Sequence, residues 1–362
     1  MPGDRPTTDL EIAGLRCGGT RPPLLVAELS GNHAGRLAHA LALIDAAVDA
    51  GADLIKIQTY RPDTITLDCD RPEFRIDDGL WRGRSLYELY EEAHTPWEWH
   101  PALFARARER GVPLFSSPFD PSAVDLLESL DCPAYKIASF ELVDIGLLER
   151  VAATGKPVIL STGMATLAEI DEALQVFGGR AAGRVVLLHC TSAYPAPVDA
   201  ANLRSLDMLR RHFAVNVGLS DHTQGNLVPI AAVALGACMI EKHFVLDRRG
   251  NAIDAAFSLE PAEFSEMADA CRTAWRALGE ARRGPVAAER AQTAHRRSLY
   301  AVADIPAGAI ITAGDVRSVR PGLGLHPREL RRVIGCVARQ AIPRGTPLAW
   351  EQLEVPAAHD DD

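Results

Sequence analysis

Two lysines interrupt short apolar runs: Lys56 in LIKIQTY (Leu54–Tyr60) and Lys136 in AYKIAS (Ala134–Ser139). A buried, unpaired ammonium is costly, so each needs a partner, either a structural counter-ion or a ligand. Comparable runs carry polar groups at or near their ends. Glu28 lies in LLVAEL (Leu24–Leu29), Ser116 and Ser117 in PLFSSPF (Pro113–Phe119), and Ser161 in PVILSTG (Pro157–Gly163). Ser139 closes the Lys136 run, and Gln58 shares a strand face with Lys56. His189 and Thr191 stand at the end of RVVLLHC (Arg184–Cys190), Ser220 and His222 at the end of VNVGLSDH (Val215–His222), and Glu241 and His243 in CMIEKHFV (Cys238–Val245). Lysines with hydroxyls make a cationic, donor-rich pocket that suits a small ligand bearing phosphate and carboxylate.

His222 and His243 are 21 residues apart, one strand–helix–strand step, and so end neighbouring strands. Two imidazoles there can hold one divalent ion with positions open to water or substrate, or can be a hydrogen-bonded pair of core histidines. Asp221 and Glu241 beside them offer acceptors to the imidazole N–H groups. An incomplete protein ligand set suits a Lewis acid that polarises a carbonyl. The residues therefore point to a metal-assisted reaction between a phosphorylated small anion and a carbonyl compound.

The elements that must position these groups follow from the same eight runs. Each is followed by an amphipathic stretch such as LAHALALIDAAVDAG or LFARARERG, the pattern of parallel strands covered by helices. Eight units over about residues 24–280 fit an α/β fold of the (β/α)8 TIM-barrel type, in which polar groups collect at the C-terminal rim of the strands. An open doubly wound sheet is the competitor. It usually carries G-x-G-x-x-G after the first strand, where this chain reads ELSGNHAG. Residues 1–23 are read as an N-terminal extension, 24–280 as the barrel, 281–297 as a charged linker and 298–357 as a small β-rich domain. That domain has a near-repeat: DIPAGAIITAGDV (Asp304–Val316) and QAIPRGTPLAWEQL (Gln340–Leu353) share I-P-x-G before an apolar run. The long segment Arg61–Trp99 holds three of the five tryptophans and reads as a lid, an oligomer contact or a packed aromatic flap.

With 38 basic against 48 acidic side chains, the net charge of −10 argues against nucleic acid or an anionic membrane as partner. No apolar run approaches a membrane span, the N-terminus lacks a signal-peptide core, and a cytoplasmic location is expected. The seven cysteines form no C-x-x-C pair and read as buried hydrophobes.

The segments AELSGNHAG, IKIQTY, FSSPFD, YKIASFE, LSTGMAT, HCTSAYPAP, GLSDHT and IEKHF, in this order, resemble the sialic acid synthase family. RSLYAVADIPAG with SVRPGLGLHP is similar to the antifreeze-like (SAF, β-clip) domain that follows the barrel in that family. Within it, ELSGNH, GLWRGRSLYELYEEAHTPWEWH, SSPFD and CTSAYPAP resemble the pseudaminic acid branch more than the sialic or legionaminic branches. The resemblance implies a condensation of phosphoenolpyruvate with the open-chain aldehyde of an N-acetylated amino sugar, releasing phosphate and forming a nine-carbon 2-keto acid. For this branch the sugar is 2,4-diacetamido-2,4,6-trideoxy-L-altrose, with the N-acetylneuraminate and legionaminate reactions as alternatives. It further implies that Lys56, Ser117, Lys136, Ser139, Ser161, Ser192 and Ser220 hold phosphoenolpyruvate, Ser192 standing where the sialic branch has Asn. His222 and His243 match ligands of Mn2+ or Mg2+. Glu28, Gln58, Tyr194, Asp254 and Arg320 match groups around the sugar, and Glu141 a further acidic position; Glu28 or Glu141 would take the proton of the attacking water. A homodimer with the SAF domain over the partner barrel is implied as well. Rivals of another class are a non-catalytic sugar-binding protein and an aldolase using Lys56 or Lys136 as a Schiff base.

Overall fold

The computed structural model describes residues 10–179, 183–250 and 252–356. The chain forms two compact units, residues 1–279 and 280–362.

In the first unit the strands β3 (Leu24–Glu28), β4 (Leu54–Thr59), β5 (Leu114–Pro118), β6 (Tyr135–Ile137), β7 (Val158–Ser161), β8 (Val185–Cys190), β9 (Asn216–Asp221) and β10 (Met239–His243) follow one another around a closed parallel barrel. Their numbering begins at β3 because a short hairpin, β1 (Leu10–Ile12) with β2 (Leu15–Cys17), comes first in the chain. The expected barrel is thus the fold observed, with strand ends within a few residues of the apolar runs. The Lys136 run is shortened most: Ala138 and Ser139 leave the ladder, and the Ser139 hydroxyl accepts the Gly163 N–H at 3.2 Å.

Parallel strands in a barrel are covered on both faces, so their residues alternate between the barrel interior and the helix layer. On β10, Glu241 and His243 point inward, while Lys242 points outward and pairs with Asp221 of β9 at 2.5 Å. Eight helices cover the strands, among them Leu37–Asp49, Leu167–Val176 and Pro261–Leu278. Their inner faces bury residues such as Leu43 and Ile44, Ala173 and Leu174, and Phe264 and Met267. Side-chain caps fix where several begin: Asp120 accepts from the N–H groups of Ser122 and Ala123, and Thr166 forms a capping box with Glu169.

Register brings the polar strand ends together. Glu28 lies beside Lys56 on one side and His243 on the other, Gln58 beside Ser117, and Ser220 between Cys190 and Glu241. The hairpin closes the opposite end, burying Leu10, Ile12 and Cys17 against the strand starts. The Cys17 thiol donates to the Cys238 carbonyl at 3.4 Å, and the Asn216 amide donates to the Cys17 carbonyl at 3.5 Å.

The second unit contains two antiparallel pairs, β11 (Ser298–Ala301) with β12 (Val316–Val319) and β13 (Val337–Ala338) with β14 (Leu353–Glu354). The near-repeats meet at Ile305 and Ile342, which exchange backbone hydrogen bonds of 2.9 and 2.8 Å. Leu299, Ile311, Val333, Cys336, Leu348 and Leu353 form its separate core. Among the described residues no helix is long and apolar enough to cross a membrane, and all seven cysteines are free thiols.

Candidate active site

At the C-terminal rim of the barrel lies a cavity of about 570 Å3. Its charged floor is one connected network. Glu241 Oε1 stands 3.0 Å from Lys56 Nζ and 3.1 Å from Lys136 Nζ, and it accepts the Ser220 hydroxyl at 3.1 Å. Lys56 also meets Glu28 Oε2 at 3.2 Å, while Glu28 Oε1 accepts from the Gln58 amide at 2.8 Å. Burial opposes the charge on Glu241, but Lys136 and Lys56 override it and hold the carboxyl well below the usual range. Burial likewise opposes the Lys56 ammonium, and Glu241 and Glu28 outweigh that and raise its proton affinity. Glu28 is pushed up by burial, against the pull of Lys56. Lys136, with one carboxylate for partner, is lowered by burial.

Two imidazoles face this floor. The rings of His222 and His243 are 5.3 Å apart, flanked by Tyr194 at 4.4 Å from His222 and Phe257 at 4.8 Å from His243. His222 directs Nδ1 to the Thr191 carbonyl at 3.0 Å, which favours the tautomer whose Nε2 carries a lone pair. His243 Nδ1 is buried without a hydrogen-bond partner, 3.8 Å from Asp254 Oδ2. Burial, then the nearby His222 and Lys56, keeps His243 well below the ordinary histidine range, so it is neutral at pH 7 and able to act as a ligand. Among the described residues no group of three or more His, Cys, Asp and Glu side chains is arranged to hold a metal. The pair can therefore seat an ion only with oxygen from water or substrate completing its coordination.

The network is incomplete in a telling way. Of seven buried side-chain polar atoms that lack a hydrogen-bond partner among the described residues, six belong here: Glu28 Oε2 (in ion-pair contact with Lys56), Ser117 Oγ, Glu141 Oε2, Ser161 Oγ, Glu241 Oε2 and His243 Nδ1. Such atoms are rare in a folded interior and mark a place where something else supplies the partner.

Lys56, Gln58, Lys136, Ser139, Glu141, Ser161, Ser192, Tyr194, Ser220, His222, His243 and Asp254 all line this one cavity. Glu28 and Ser117 do not line it; they lie buried beneath, Glu28 bonded to Lys56 and Gln58. Asp254 is tied to the Ser30 hydroxyl through its carboxylate, and its backbone N–H donates to Asn32 Oδ1 at 3.2 Å. Arg320 belongs to the second unit, where it lines a shallow hollow with Gln292, His295, Arg296 and Arg297.

One expectation is overturned. Asp221 is no acceptor for the imidazoles, because strand alternation turns it outward to Lys242 and Thr223, and Glu241 serves the lysines instead. Glu241 is thus a site residue that the sequence reading placed in the wrong role; its spacing of two from His243 was the signal for a shared face. The segment Arg61–Trp99 forms part of the cavity wall through Ile76, Trp81, Leu86 and Tyr90. Nothing in its local pattern assigns those side chains to the site.

Comparison with known proteins agrees with this geometry. Residues 43–283 match the NeuB family and residues 296–354 the SAF domain. The pseudaminic acid synthase of Helicobacter pylori is 44% identical over 92% of this chain and 98% of its own. The pseudaminic acid synthase of Campylobacter jejuni is 46% identical over 90% of this chain and 94% of its own. Among solved structures, the N-acetylneuraminic acid synthetase of Leptospira borgpetersenii, in complex with citrate, aligns with a TM-score of 0.70 at 32% identity, covering 78% of this chain and 94% of that one. With its catalytic-type rim on an eight-stranded barrel and these matches along nearly its full length, the chain belongs to the NeuB family.

Proposed function

We propose that this chain condenses phosphoenolpyruvate with open-chain 2,4-diacetamido-2,4,6-trideoxy-L-altrose, giving pseudaminic acid and phosphate. The observation that carries the reading is the set of unpartnered buried polar atoms around two lysines and two imidazoles in one cavity. Relatives named for pseudaminic acid, at 44 and 46% identity, favour this sugar.

In this reading Lys56 and Lys136, with Ser139, Ser161, Ser192 and Ser220 on the cavity wall and Ser117 beneath, hold the phosphate and carboxylate. Gln58, Tyr194 and Asp254 orient the sugar, with Glu28 fixing Gln58 from below. The enol carbon C3 bonds to the aldehyde carbon, and positive charge develops at C2. Water adds there, and its proton passes to Glu141. The tetrahedral centre then breaks its bond to the phosphate oxygen, its hydroxyl proton leaving with the phosphate to give the ketone, while the proton held by Glu141 returns to the alkoxide formed from the aldehyde oxygen. Glu141 suits the proton better than Glu28: it lines the cavity with a free Oε2 and is pushed up to about 7 by burial, whereas Glu28 does not line the cavity and is held by the Gln58 amide and the Lys56 ion pair. A divalent ion held by His222 and His243 supplies Lewis-acid polarisation of the aldehyde oxygen. Two nitrogen donors suit Mn2+ better than Mg2+, which is bound chiefly through oxygen. An aldolase reading needs a neutral lysine, and both lysines contact the Glu241 carboxylate. The homodimer and the role of Arg320 toward the sugar rest on the family resemblance, a cytoplasmic location on the sequence reading, and they complete the proposal.

The test is phosphate release from phosphoenolpyruvate with each of the three family sugars. Release with the altrose derivative is expected. Release with only the N-acetylneuraminate or legionaminate precursor refutes the sugar, and no release with any refutes the condensation.

A further inference from the structure

The cavity has two unlike ends. One is the charged floor already described. The other is built largely by Arg61–Trp99, which contributes Ile76, Trp81, Leu86, Leu89 and Tyr90 to the lining, with Asp78 as its one carboxylate. Trp81 is the member closest to the chemistry. Its ring lies 6.1 Å from Tyr194 and 6.5 Å from Phe257, the two rings that pack on His222 and His243. The indole N–H, its sole donor, is already given to the Ile253 carbonyl at 3.3 Å. The half-buried ring therefore offers the cavity carbon only. Its position is braced: Ile76 and Arg84 are joined by an N–H to carbonyl bond of 2.9 Å, Gly83 returns one of 2.8 Å to Ile76, and the Ser85–Glu88 capping box starts the next helix.

We infer that Trp81, with Ile76 and Leu86 in the same wall, selects the carbonyl substrate by accepting its apolar substituents. The methyl groups of a deoxy carbon and of acetamido groups fit there; a free hydroxyl set against this wall gives up its water and gains no partner. The inference rests on the proposed condensation and goes further by assigning what sets its sugar class. The chemistry on the page favours deoxy, multiply acetylated amino sugars over polyhydroxylated ones because Trp81, Ile76 and Leu86 present carbon there, Asp78 being the one carboxylate this segment adds to the lining, while the other polar recognition lies in Gln58, Tyr194 and Asp254.

The experiment measures kcat/KM of the full chain for the altrose derivative and for N-acetylmannosamine, each with saturating phosphoenolpyruvate and Mn2+. Trp81→Ala should lower kcat/KM for the altrose derivative by roughly 10–200-fold, through the sugar KM, and shrink its advantage over N-acetylmannosamine by at least about tenfold. The KM for phosphoenolpyruvate should stay within about twofold, and Trp81→Phe should restore most of the preference. Ile76→Thr, which keeps a branched shape and adds a hydroxyl, should narrow the preference in the same direction if Trp81→Ala does not fold. Equal losses with both sugars, a parallel rise in the phosphoenolpyruvate KM, or an unchanged ratio in Ile76→Thr overturns the inference. Wild-type protein that releases no phosphate with any sugar overturns the condensation itself, whereas release with a ratio insensitive to Trp81 overturns only the selection.

Discussion

Lys56 and Lys136, eighty residues apart in the chain, share one carboxylate oxygen: Glu241 Oε1 lies 3.0 Å from the first ammonium and 3.1 Å from the second. All three side chains are buried, so this single oxygen lets two like charges stand in one cavity before a substrate arrives. Its companion Oε2 is unpartnered, which leaves the lysines with bonding capacity directed at a ligand rather than consumed by the protein.

Glu241→Gln removes the charge and keeps the shape. The two ammoniums are then balanced by Glu28 alone, and we expect a loss of about 3 kcal/mol, or roughly 4 °C in Tm for a chain of this length, by thermal denaturation. Turnover should fall by at least about 100-fold. A variant as stable and as active as the wild type would show that the lysines do not depend on this carboxylate.

Burial holds Glu141 at about 7, so it is mostly protonated below that pH and mostly charged above it. If it takes the proton of water, kcat/KM rises with pH through 7, and Glu141→Gln flattens that limb while lowering the rate by about 100- to 10,000-fold. The same shift has a sign for stability. The folded carboxyl binds its proton more tightly than the unfolded one, so its contribution is full below about pH 4.5 and is lost as pH rises through 7. Denaturation of the ligand-free protein between pH 5 and 8 should lose part of that slope in Glu141→Gln.

His222 and His243 together should bind one Mn2+ per chain, measured by isothermal titration, and either alanine variant should bind none detectably. Chelation of the wild type should abolish phosphate release and Mn2+ should restore it more fully than Mg2+. Turnover that survives chelation in a protein stripped of metal would remove the imidazole pair from the chemistry.

Gly163 sits where a Cβ atom would press on Ser192 Oγ and come within 2.8 Å of Ser139 Oγ. Gly163→Ala should displace both hydroxyls, one of which accepts the Gly163 N–H. The expected outcome is a rise of about tenfold or more in the phosphoenolpyruvate KM with a smaller change in the sugar KM. The reverse split would place these serines at the sugar.

The inner face of every strand was legible because side-chain alternation is a local property. Lys56 with Gln58, Ser220 with His222 and Glu241 with His243 each fall two apart and so share a face wherever the strand goes. The (β/α)8 order was legible for a similar reason, since eight apolar runs separated by helical periods leave few ways to bury both faces of the strands. The hairpin at Leu10–Cys17 was not, because its residues carry no pattern of their own and join the barrel core, with hydrogen bonds to Asn216 and Cys238 some two hundred residues away.

By itself, then, the sequence determined which residues of a strand share a face, through strand period, and that polar groups gather at the C-terminal end of the barrel, through their position in each run. Only the tertiary structure decided who partners whom. Lys136 meets Glu241 across 105 residues, Asp221 turns away to Lys242, and Trp81 reaches the rings beside the imidazoles. Those pairings depend on barrel closure and on inter-strand register, which bring together distant atoms whose local sequences hold no record of one another.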